Sequence, residues 1–341
     1  MDLLILGGTR FSGREAAATA LAAGHQVTLL HRGTTGADLF RETAAAEHVL
    51  VDRDGGMGAL AGPDGRTRRF DAVFDFCGYA PRVVAQSVDA LRDSGRYLFV
   101  STISVYADPL PDGATEDAPV HAEPDDPDAA LTDKTYGPLK VACERVVRGG
   151  FGDRATIVRP GFVIGPNDPT DRLPSLVRRA AAGGDMLAYG PPDGWLQAVD
   201  ARDLGAFLVH LAEQDVGGTL HAVHPRHTVT VRDVLEAARA AAGADTLIEW
   251  ADPAWLAEAL GEAAREAAFP LWDPDPASRW HALDGRRAAA AGLRATPIAR
   301  TVADVLAWDR ARGPDAARPN GLDPDREREL IAAWRAVRRV R

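Results

Sequence analysis

A tyrosine and a lysine, Tyr136 and Lys140, stand four residues apart in the segment Tyr-Gly-Pro-Leu-Lys. In a helix this spacing places the phenol and the ammonium on the same face. A phenol exchanges protons near neutral pH only when its pKa is lowered, and a nearby positive charge lowers it. The pair therefore predicts a general acid or base, although the same spacing also occurs by chance in many helices.

Three hydroxyl-bearing residues, Ser101, Thr102 and Ser104, lie upstream of this pair. They begin where the apolar segment 97–101, a predicted strand, ends. Ligands of parallel sheets bind outside the carboxyl ends of the strands. We therefore expect these hydroxyl groups to lie at that edge of the sheet.

A glycine-rich loop, Gly-Gly-Thr-Arg-Phe-Ser-Gly at 7–13, separates an apolar run at 3–6 from an alanine-rich stretch at 14–23. Gly7 permits a tight turn, Gly8 lets the backbone approach a phosphate, and Gly13 lets helix and strand pack closely. Because the loop follows a first strand and opens a first helix, it predicts dinucleotide binding, with a purely structural turn as the alternative. The predicted cofactor contacts from this loop are Gly7, Gly8, Thr9, Arg10, Phe11 and Gly13.

The second apolar segment ends in His31-Arg32-Gly33, where an NAD-specific protein usually carries an acid for the ribose 2′-hydroxyl. Arg32, together with Arg10, could instead bind a 2′-phosphate. Charge-assisted hydrogen bonds of about 1.5–3 kcal/mol favour NADP over NAD by about tenfold or more. If both arginines are only solvated surface residues, NAD remains possible. Asp52, after the third apolar segment, is a candidate for the adenine amino group.

These residues need a sheet to position them, and the apolar pattern predicts one. Short apolar runs alternate with helix-like or loop segments, which indicates an α/β protein with a parallel sheet covered on both faces. We expect a doubly wound, Rossmann-like sheet of about seven strands. The predicted strands are 3–6, 27–30, 48–51, 72–76, 97–101, 155–159 and 219–223, and the later helices are 136–147, 203–212, 230–242 and 253–268.

The second half of the chain differs in composition, since all seven tryptophans lie from Trp195 onward. We expect a smaller, mostly helical substrate-binding domain there, with the substrate between the two domains. Trp195, Trp272 and Trp280 are candidates for the pocket floor, with core packing as the alternative. The predicted domains are 1–165 with 196–228 returning to it, then 166–195 with 229–312, then a helical tail at 313–341.

The motifs together resemble the short-chain dehydrogenase/reductase superfamily, in its extended branch of NAD-dependent epimerases and dehydratases. The resemblance covers about residues 1–235 and includes Glu-Asp-Ala-Pro at 116–119, Arg-Pro at 159–160 and the segment 199–204. It implies that Tyr136 is the catalytic acid or base and that Thr102 binds the reacting oxygen. It also implies that Lys140 holds the nicotinamide ribose and lowers the pKa of Tyr136.

The same resemblance places Cys77 and Gly78, after the fourth strand, near the cofactor. There we expect Cys77 to act as a small buried hydrophobe rather than a nucleophile. Dehydratases of the family follow the threonine with an Asp-Glu pair, whereas this chain has Ile103 and Ser104, which disfavours sugar 4,6-dehydration.

The implied activity is that of an NADP-dependent oxidoreductase that reduces a carbonyl group of a small metabolite. A nucleotide-sugar epimerase with tightly bound NAD is the first alternative. The glycine loop is similar to that of an atypical subgroup with chloroplast RNA-binding members, some of which lack the Tyr/Lys pair. A cofactor-sensing or RNA-binding protein without turnover is therefore the second alternative, which the presence of the pair disfavours.

The composition sets outer limits on these functions. With 341 residues, 46% hydrophobic and 26% charged, the chain is typical of globular proteins, and a net charge of −10 argues against nucleic acid as a partner. The sequence has no apolar run of about 18 residues and no basic N-terminus, so we expect a cytoplasmic protein that does not bind membranes. We expect it to be a monomer or a homodimer. We expect no metal site, because histidines spaced like His221, His224 and His227 are usually solvent-facing.

Overall fold

The computed structural model describes residues 1–261, 268, 269, 271, 281–313 and 315–340, so Trp272 and Trp280 lie outside the described residues. The chain divides into two compact units. Unit 1 comprises Met1–Val163, Ala198–Arg226 and Ala282–Ala295, and unit 2 comprises Ile164–Gln197, His227–His281 and Thr296–Arg341.

Strands form wherever the sequence carries its short apolar runs. They are β1 (Asp2–Leu6), β2 (Gln26–His31), β3 (Ala46–Leu50), β4 (Ala72–Asp75), β5 (Arg96–Val100), β6 (Ala155–Pro160), β7 (Phe162–Ile164), β8 (Asp185–Ala188), β9 (Ala198–Asp200), β10 (Gly218–Ala222) and β11 (Leu247–Trp250). Seven of them form one sheet in the order β10-β6-β5-β4-β1-β2-β3, with every neighbouring pair parallel. Strands β7 and β9 form a short separate sheet, as do β8 and β11.

Helices connect these strands. Among the described residues they are α1 (Phe11–Ala22), α2 (Arg53–Gly56), α3 (Pro81–Ala90), α4 (Asp133–Phe151), α5 (Arg172–Ala180), α6 (Ala201–Glu213), α7 (Val231–Ala242), α8 (Pro253–Leu260), α9 (Arg286–Ala290), α10 (Ile298–Ala311) and α11 (Pro324–Val340). Helix α4 begins three residues before the predicted start at Tyr136, because Thr132 and Thr135 form a capping box at its N-terminus.

Both faces of the large sheet are covered. Helices α1 and α6 pack together on one face, and α3 and α4 pack together on the other. Side chains of β1 alternate between the two cores, so that Leu3 and Ile5 join the first and Leu4 and Leu6 the second. A central strand buried on both faces reads as a continuous apolar run rather than as an alternating one. The predicted doubly wound, Rossmann-like sheet is confirmed.

The direction of strand addition reverses beside β1. The chain first adds β2 and β3 on one side of β1, and then continues with β4 on the other side. In such sheets the crevice at the reversal, outside the carboxyl ends of the strands, is where ligands bind. The glycine loop follows β1, and Cys77 and Gly78 follow β4, so both lie at this point.

One distant segment of the chain returns to unit 1. The amide of Gly113 donates to the carbonyl of Ala282 at 2.8 Å, and the amide of Asp284 donates to the carbonyl of Ala114 at 2.9 Å. These backbone bonds place 282–295 in unit 1, although the sequence pattern assigned it to the predicted domain 229–312. The substrate-binding role of that predicted domain remains a prediction.

Unit 2 is smaller and mostly helical, as predicted for the C-terminal region. Its last helix, α11, is part of the unit rather than a separate tail, because Glu327 accepts hydrogen bonds from the amide of Leu187 (2.9 Å) and from Arg179 (2.6 Å). The ring of Trp334 also lies 5.1 Å from that of Trp255. Within the described ranges, no helix combines the length and apolar character needed to cross a membrane.

The contact between α1 and α6 leads to a test of the packing. A Cβ atom on Gly205 would lie 2.6 Å from the backbone nitrogen of Ala16, so Gly205→Ala must push the helices apart and should lower the free energy of unfolding by about 1–3 kcal/mol. Gly149→Ala is the control, because a Cβ atom there meets nothing within 4 Å and should stabilise α4 by about 0.5–1 kcal/mol. Urea denaturation measures both, and equal stabilities of the two variants would contradict this account.

Candidate active site

The glycine loop is tight because two of its residues nearly touch. Gly7 has a φ of +88°, and a Cβ atom on Gly13 would lie 2.3 Å from the Gly7 carbonyl oxygen. Only glycine at both positions lets the start of α1 lie directly on the end of β1. Packing also favours glycine at position 8, in addition to the predicted approach to a phosphate, because a Cβ atom there would lie 2.5 Å from a methyl carbon of Leu29.

The N-terminus of α1 suits an anion. Arg10 occupies the N-cap position, and its side chain makes no capping hydrogen bond to the amides of the first turn. Backbone N–H groups at a helix N-terminus bind phosphates, and the helix dipole favours negative charge there. The close glycine contacts and this N-terminus therefore fit the pyrophosphate of a dinucleotide.

The end of β4 forms the other side of this crevice. A Cβ atom on Gly7 would lie 3.3 Å from Cβ of Cys77, and one on Gly78 would lie 2.4 Å from the Phe99 ring. Burial raises the pKa of the Cys77 thiol. The thiol is therefore protonated at neutral pH, which supports the role of a small hydrophobe over that of a nucleophile.

A buried ion pair beneath the crevice was absent from the sequence prediction. The carboxylate of Asp75 is fully buried and accepts hydrogen bonds from both terminal nitrogens of Arg53 (2.7 and 2.9 Å) and from the hydroxyl of Tyr97 (2.7 Å). Burial raises the pKa of Asp75, but the Arg53 guanidinium outweighs this effect and holds it below its ordinary value. The signal in the sequence was an acid at the end of an otherwise apolar strand, Ala-Val-Phe-Asp.

The end of β2 is built differently from the usual acidic site. His31 is buried, its Nδ1 accepts from the amide of Gly33 at 3.1 Å, and its Nε2 lies 2.9 Å from Nδ1 of His48. Both ring nitrogens of His31 therefore have partners inside the protein, whereas the Arg32 side chain is exposed. Asp52 is exposed as well, and its carboxylate accepts from the amide of Asp54 at 3.0 Å. Its predicted contact with adenine remains a prediction.

The predicted catalytic residues come from neighbouring elements. Thr102 follows β5, where its hydroxyl oxygen accepts from the amide of Ser104 and its O–H donates to the Ser104 hydroxyl, both at 3.1 Å. A Cβ atom on Gly137 would lie 2.1 Å from the Ser104 carbonyl oxygen. The first turns of α4, which carry Tyr136, thus pack directly against the turn that carries Thr102.

Lys140 occupies a more enclosed position than the sequence indicated. Its side chain is 2% exposed, and its ammonium donates to the carbonyls of Gly78 (2.9 Å) and Val100 (2.7 Å). Burial lowers the pKa of Lys140 below that of a free lysine. The ring of Tyr79 lies 5.2 Å from this ammonium and 6.4 Å from the Tyr136 ring, so Tyr79 also belongs to the site. The predicted contact of Lys140 with a ribose remains a prediction.

The histidine cluster is mostly buried, contrary to the expectation of solvent-facing side chains. His221 is 0% and His224 4% exposed, and only His227 of the three is exposed. His221 ends up inside because it lies on β10, whose second half belongs to the sheet core. Trp195, in unit 2, is 43% exposed, and its ring lies 5.0 Å from that of His227.

Comparisons with known proteins agree with the fold. The model of the NAD-dependent epimerase/dehydratase family matches residues 3–223. A protein of Oryza sativa subsp. japonica that is named as a GDP-L-fucose synthase 2 is 25% identical over 217 residues, which span 58% of this chain and 60% of that protein.

Two solved structures are similar over nearly their whole length. The enzyme WbmH of Bordetella bronchiseptica, in complex with NAD⁺, has a TM-score of 0.68 and 20% identity over 92% of this chain and 99% of that one. The UDP-glucuronic acid 4-epimerase of Bacillus cereus, in complex with NAD, has a TM-score of 0.63 and 15% identity over 93% of this chain and 99% of that one. At these identities the likeness concerns the fold.

The protonated state of both thiols leads to a simple test. Burial raises the pKa of Cys77 and raises that of Cys143 to about 12, so neither is a thiolate at neutral pH. We expect Cys77→Ser and Cys143→Ser to keep turnover within about fivefold of the parent, since proton and hydride transfer need no thiol. Steady-state kinetics check this. A loss of several hundredfold in Cys77→Ser, with cofactor affinity intact, would indicate covalent catalysis.

Proposed function

The chain belongs to the NAD-dependent epimerase/dehydratase family, and from that premise we propose that it is an NADP-dependent reductase acting on a carbonyl group of a small metabolite. The family makes it an NAD(P)-dependent enzyme of the oxidoreductase and epimerase type. The observation that carries the proposal is the packing of the Tyr136 turn against the Thr102 turn, at the sheet edge that also holds the glycine loop.

In this proposal the nicotinamide, when bound, supplies the hydride. The phenol of Tyr136 holds the proton that the substrate oxygen takes up as negative charge develops on it. Thr102 donates its hydroxyl hydrogen to the same oxygen, and for this it turns from its present acceptor, the Ser104 hydroxyl. The buried ammonium of Lys140 supports the transfer, because a positive charge nearby favours the phenolate that Tyr136 becomes.

The cofactor preference follows from the end of β2. With both nitrogens of His31 bonded inside the protein, that side chain lacks the free acceptor that an aspartate would offer to a ribose hydroxyl. Two exposed arginines follow the ends of neighbouring strands, Arg10 after β1 and Arg32 directly after β2. They suit a 2′-phosphate, which accepts strong charge-assisted hydrogen bonds.

A nucleotide-sugar epimerase is the second candidate. The two solved structures described above were obtained with NAD bound, and the name of one states a 4-epimerase. The same Tyr136 and Thr102 would serve both halves of an epimerisation, in which one carbon is oxidised and then reduced again. Mass spectrometry of the natively purified protein separates the candidates, because an epimerase retains its NAD while a reductase exchanges NADP with the medium.

The arginine argument predicts the cofactor affinities. We expect NADPH to bind at least about tenfold more tightly than NADH, and Arg32→Ala to lose most of this difference. Calorimetric titration at matched salt measures both dissociation constants. Arg92→Ala, which removes an exposed arginine at the opposite edge of the sheet, before β5, should keep the parental ratio. Equal affinities in the parent would contradict the 2′-phosphate site and favour the NAD-linked epimerase.

The proton donor is tested by removing one oxygen. Tyr136→Phe should keep the fold and the cofactor affinity, yet lower kcat by about 10²–10⁴-fold. Lys140→Met should lower kcat as well and also weaken cofactor binding, because it removes both the positive charge that favours the Tyr136 phenolate and the proposed contact with the nicotinamide ribose. NADPH oxidation is followed at 340 nm with a panel of aldehydes and ketones, and cofactor affinity by calorimetry.

Parental turnover in Tyr136→Phe would exclude the phenol as the acid. Tight cofactor binding without oxidation of NADPH by any member of the panel, in the parent as well as in the variant, would instead favour the alternative of a cofactor-binding protein without turnover.

A further inference from the structure

A buried carboxylate joins helix α4 to the strand end that carries Thr102. Glu144 lies on α4 two turns after Tyr136, and its side chain is 1% exposed. Its Oε1 accepts a hydrogen bond from the hydroxyl of Ser101 at 2.6 Å, and Ser101 directly precedes Thr102. The spacing of Tyr136, Lys140 and Glu144, four residues each, places all three on one face of the helix.

The same carboxylate is also tied to the next strand. Arg159, on β6, donates from Nε to Oε1 at 2.9 Å and from Nη2 to Oε2 at 2.7 Å. Such a fork-to-fork pair fixes direction as well as distance. Glu144 therefore has bonds to the residue that follows β5 and to β6, while its own backbone belongs to α4.

Arg159 also makes hydrogen bonds to groups other than Glu144. Its Nη1 donates to the hydroxyl of Tyr106 (2.8 Å) and to the carbonyl of Glu116 (3.0 Å). The hydroxyl of Tyr106 is hydrogen-bonded to Nε2 of His221, whose Nδ1 lies 2.9 Å from the Asp284 carbonyl oxygen. Because a carbonyl only accepts, Nδ1 carries the proton, and Nε2 of the neutral ring accepts from Tyr106.

Stability alone is a poor reason for this arrangement. Removing a carboxylate and a guanidinium from water costs several kcal/mol each, and buried ion pairs contribute about as much as well-packed apolar residues of similar size. What such a pair supplies beyond packing is a fixed geometry. The geometry fixed here is that of the two elements that carry the proposed proton donor and the proposed hydroxyl donor.

We propose that Glu144 is a positioning residue that sets the spacing between the Thr102 hydroxyl and the Tyr136 phenol through its bonds to Ser101 and Arg159. The inference rests on the proposed function, because it takes Tyr136 and Thr102 as the groups that touch the substrate. Glu144 itself acts only through the strand ends. A misplacement of about 1 Å in a catalytic group can lower a rate by about 10²-fold.

Two small changes test this role. Ser101→Ala removes one hydroxyl group, and Glu144→Gln keeps the shape of the side chain while removing its charge. We expect each to lower kcat by about 10–100-fold at a temperature well below Tm, with the dissociation constant of NADPH within about twofold of the parent. The loss in the double variant should be smaller than the product of the two single losses, because both changes weaken the same connection from Ser101 through Glu144 to Arg159.

Arg148→Ala is the matched control. Arg148 lies on the same helix and its Nη1 is 3.1 Å from Oε2 of Glu144, but its side chain is 43% exposed. Because Glu144 keeps its bonds to Ser101 and Arg159 when the half-exposed Arg148 side chain is removed, this variant should keep kcat within about twofold. A loss in Arg148→Ala as large as that in Ser101→Ala would mean that any disturbance of α4 slows the enzyme, and would overturn the specific role of Glu144.

A second readout is independent of any substrate. Crystal structures of the parent and of Ser101→Ala, both with NADPH, should differ by about 0.5 Å or more in the distance between the Thr102 hydroxyl oxygen and the Tyr136 hydroxyl oxygen. An unchanged distance, or a lowered Tm with parental kcat, would overturn the proposal. If Tyr136→Phe keeps full turnover, the proposed function fails; if it is inactive while Ser101→Ala is fully active, the positioning role fails alone.

Discussion

The close approach of Gly13 to the carbonyl of Gly7 is the contact on which the site depends. A Cβ atom on Gly13 would lie 2.3 Å from that oxygen, so the start of α1 can lie on the end of β1 only because no side chain intervenes. This contact directs the N-terminus of α1 across the carboxyl edge of the sheet. Gly7 is confined by the end of β4 as well, since a Cβ atom on Gly7 would lie 3.3 Å from Cβ of Cys77. The proposed anion site and the crevice thus meet at Gly7.

The strands that end at this edge share a second feature. Several end in, or are followed at once by, a polar side chain whose partners lie inside the protein. They are His31 with His48 at the end of β2, Asp75 with Arg53 at the end of β4, Ser101 with Glu144 directly after β5, and Arg159 with Glu144 on β6. Burying so many polar groups is costly unless each is bonded. The cost is offset by bonds that hold the strand ends at fixed positions, which is what a site built from several strands requires.

The sheet was predictable because its signal is local. Most of its strands are short apolar runs, and the glycine loop marks both the first crossover and the proposed cofactor site. The links between strand ends were not predictable in the same way. Arg53 and Asp75 are 22 residues apart and Ser101 and Glu144 are 43 apart, and nothing near either residue indicates its partner. The same holds for residues 282–295, whose place in unit 1 depends on backbone bonds to residues 113 and 114.

Histidine positions illustrate a further limit of sequence patterns. The spacing of His221, His224 and His227 suggested one exposed group, yet the strand β10 places the first in the core and the loop leaves the last exposed. A periodic spacing predicts a common environment only within one regular element. Here β10 ends between His221 and His224, so the regular spacing did not predict a common exposure of the three side chains.

Lys140 interacts both with backbone carbonyls and, electrostatically, with the buried carboxylates. An ammonium has three N–H donors, and the carbonyls of Gly78 and Val100 account for two of them. Burial lowers the pKa of Lys140, and the carboxylates of Asp75 and Glu144 are among the groups that oppose this effect. Those two carboxylates are also the ones that hold the ends of β4 and β5. The buried acids that fix the strand ends therefore also favour the positive charge of Lys140, which lies on the same helix face as the proposed proton donor.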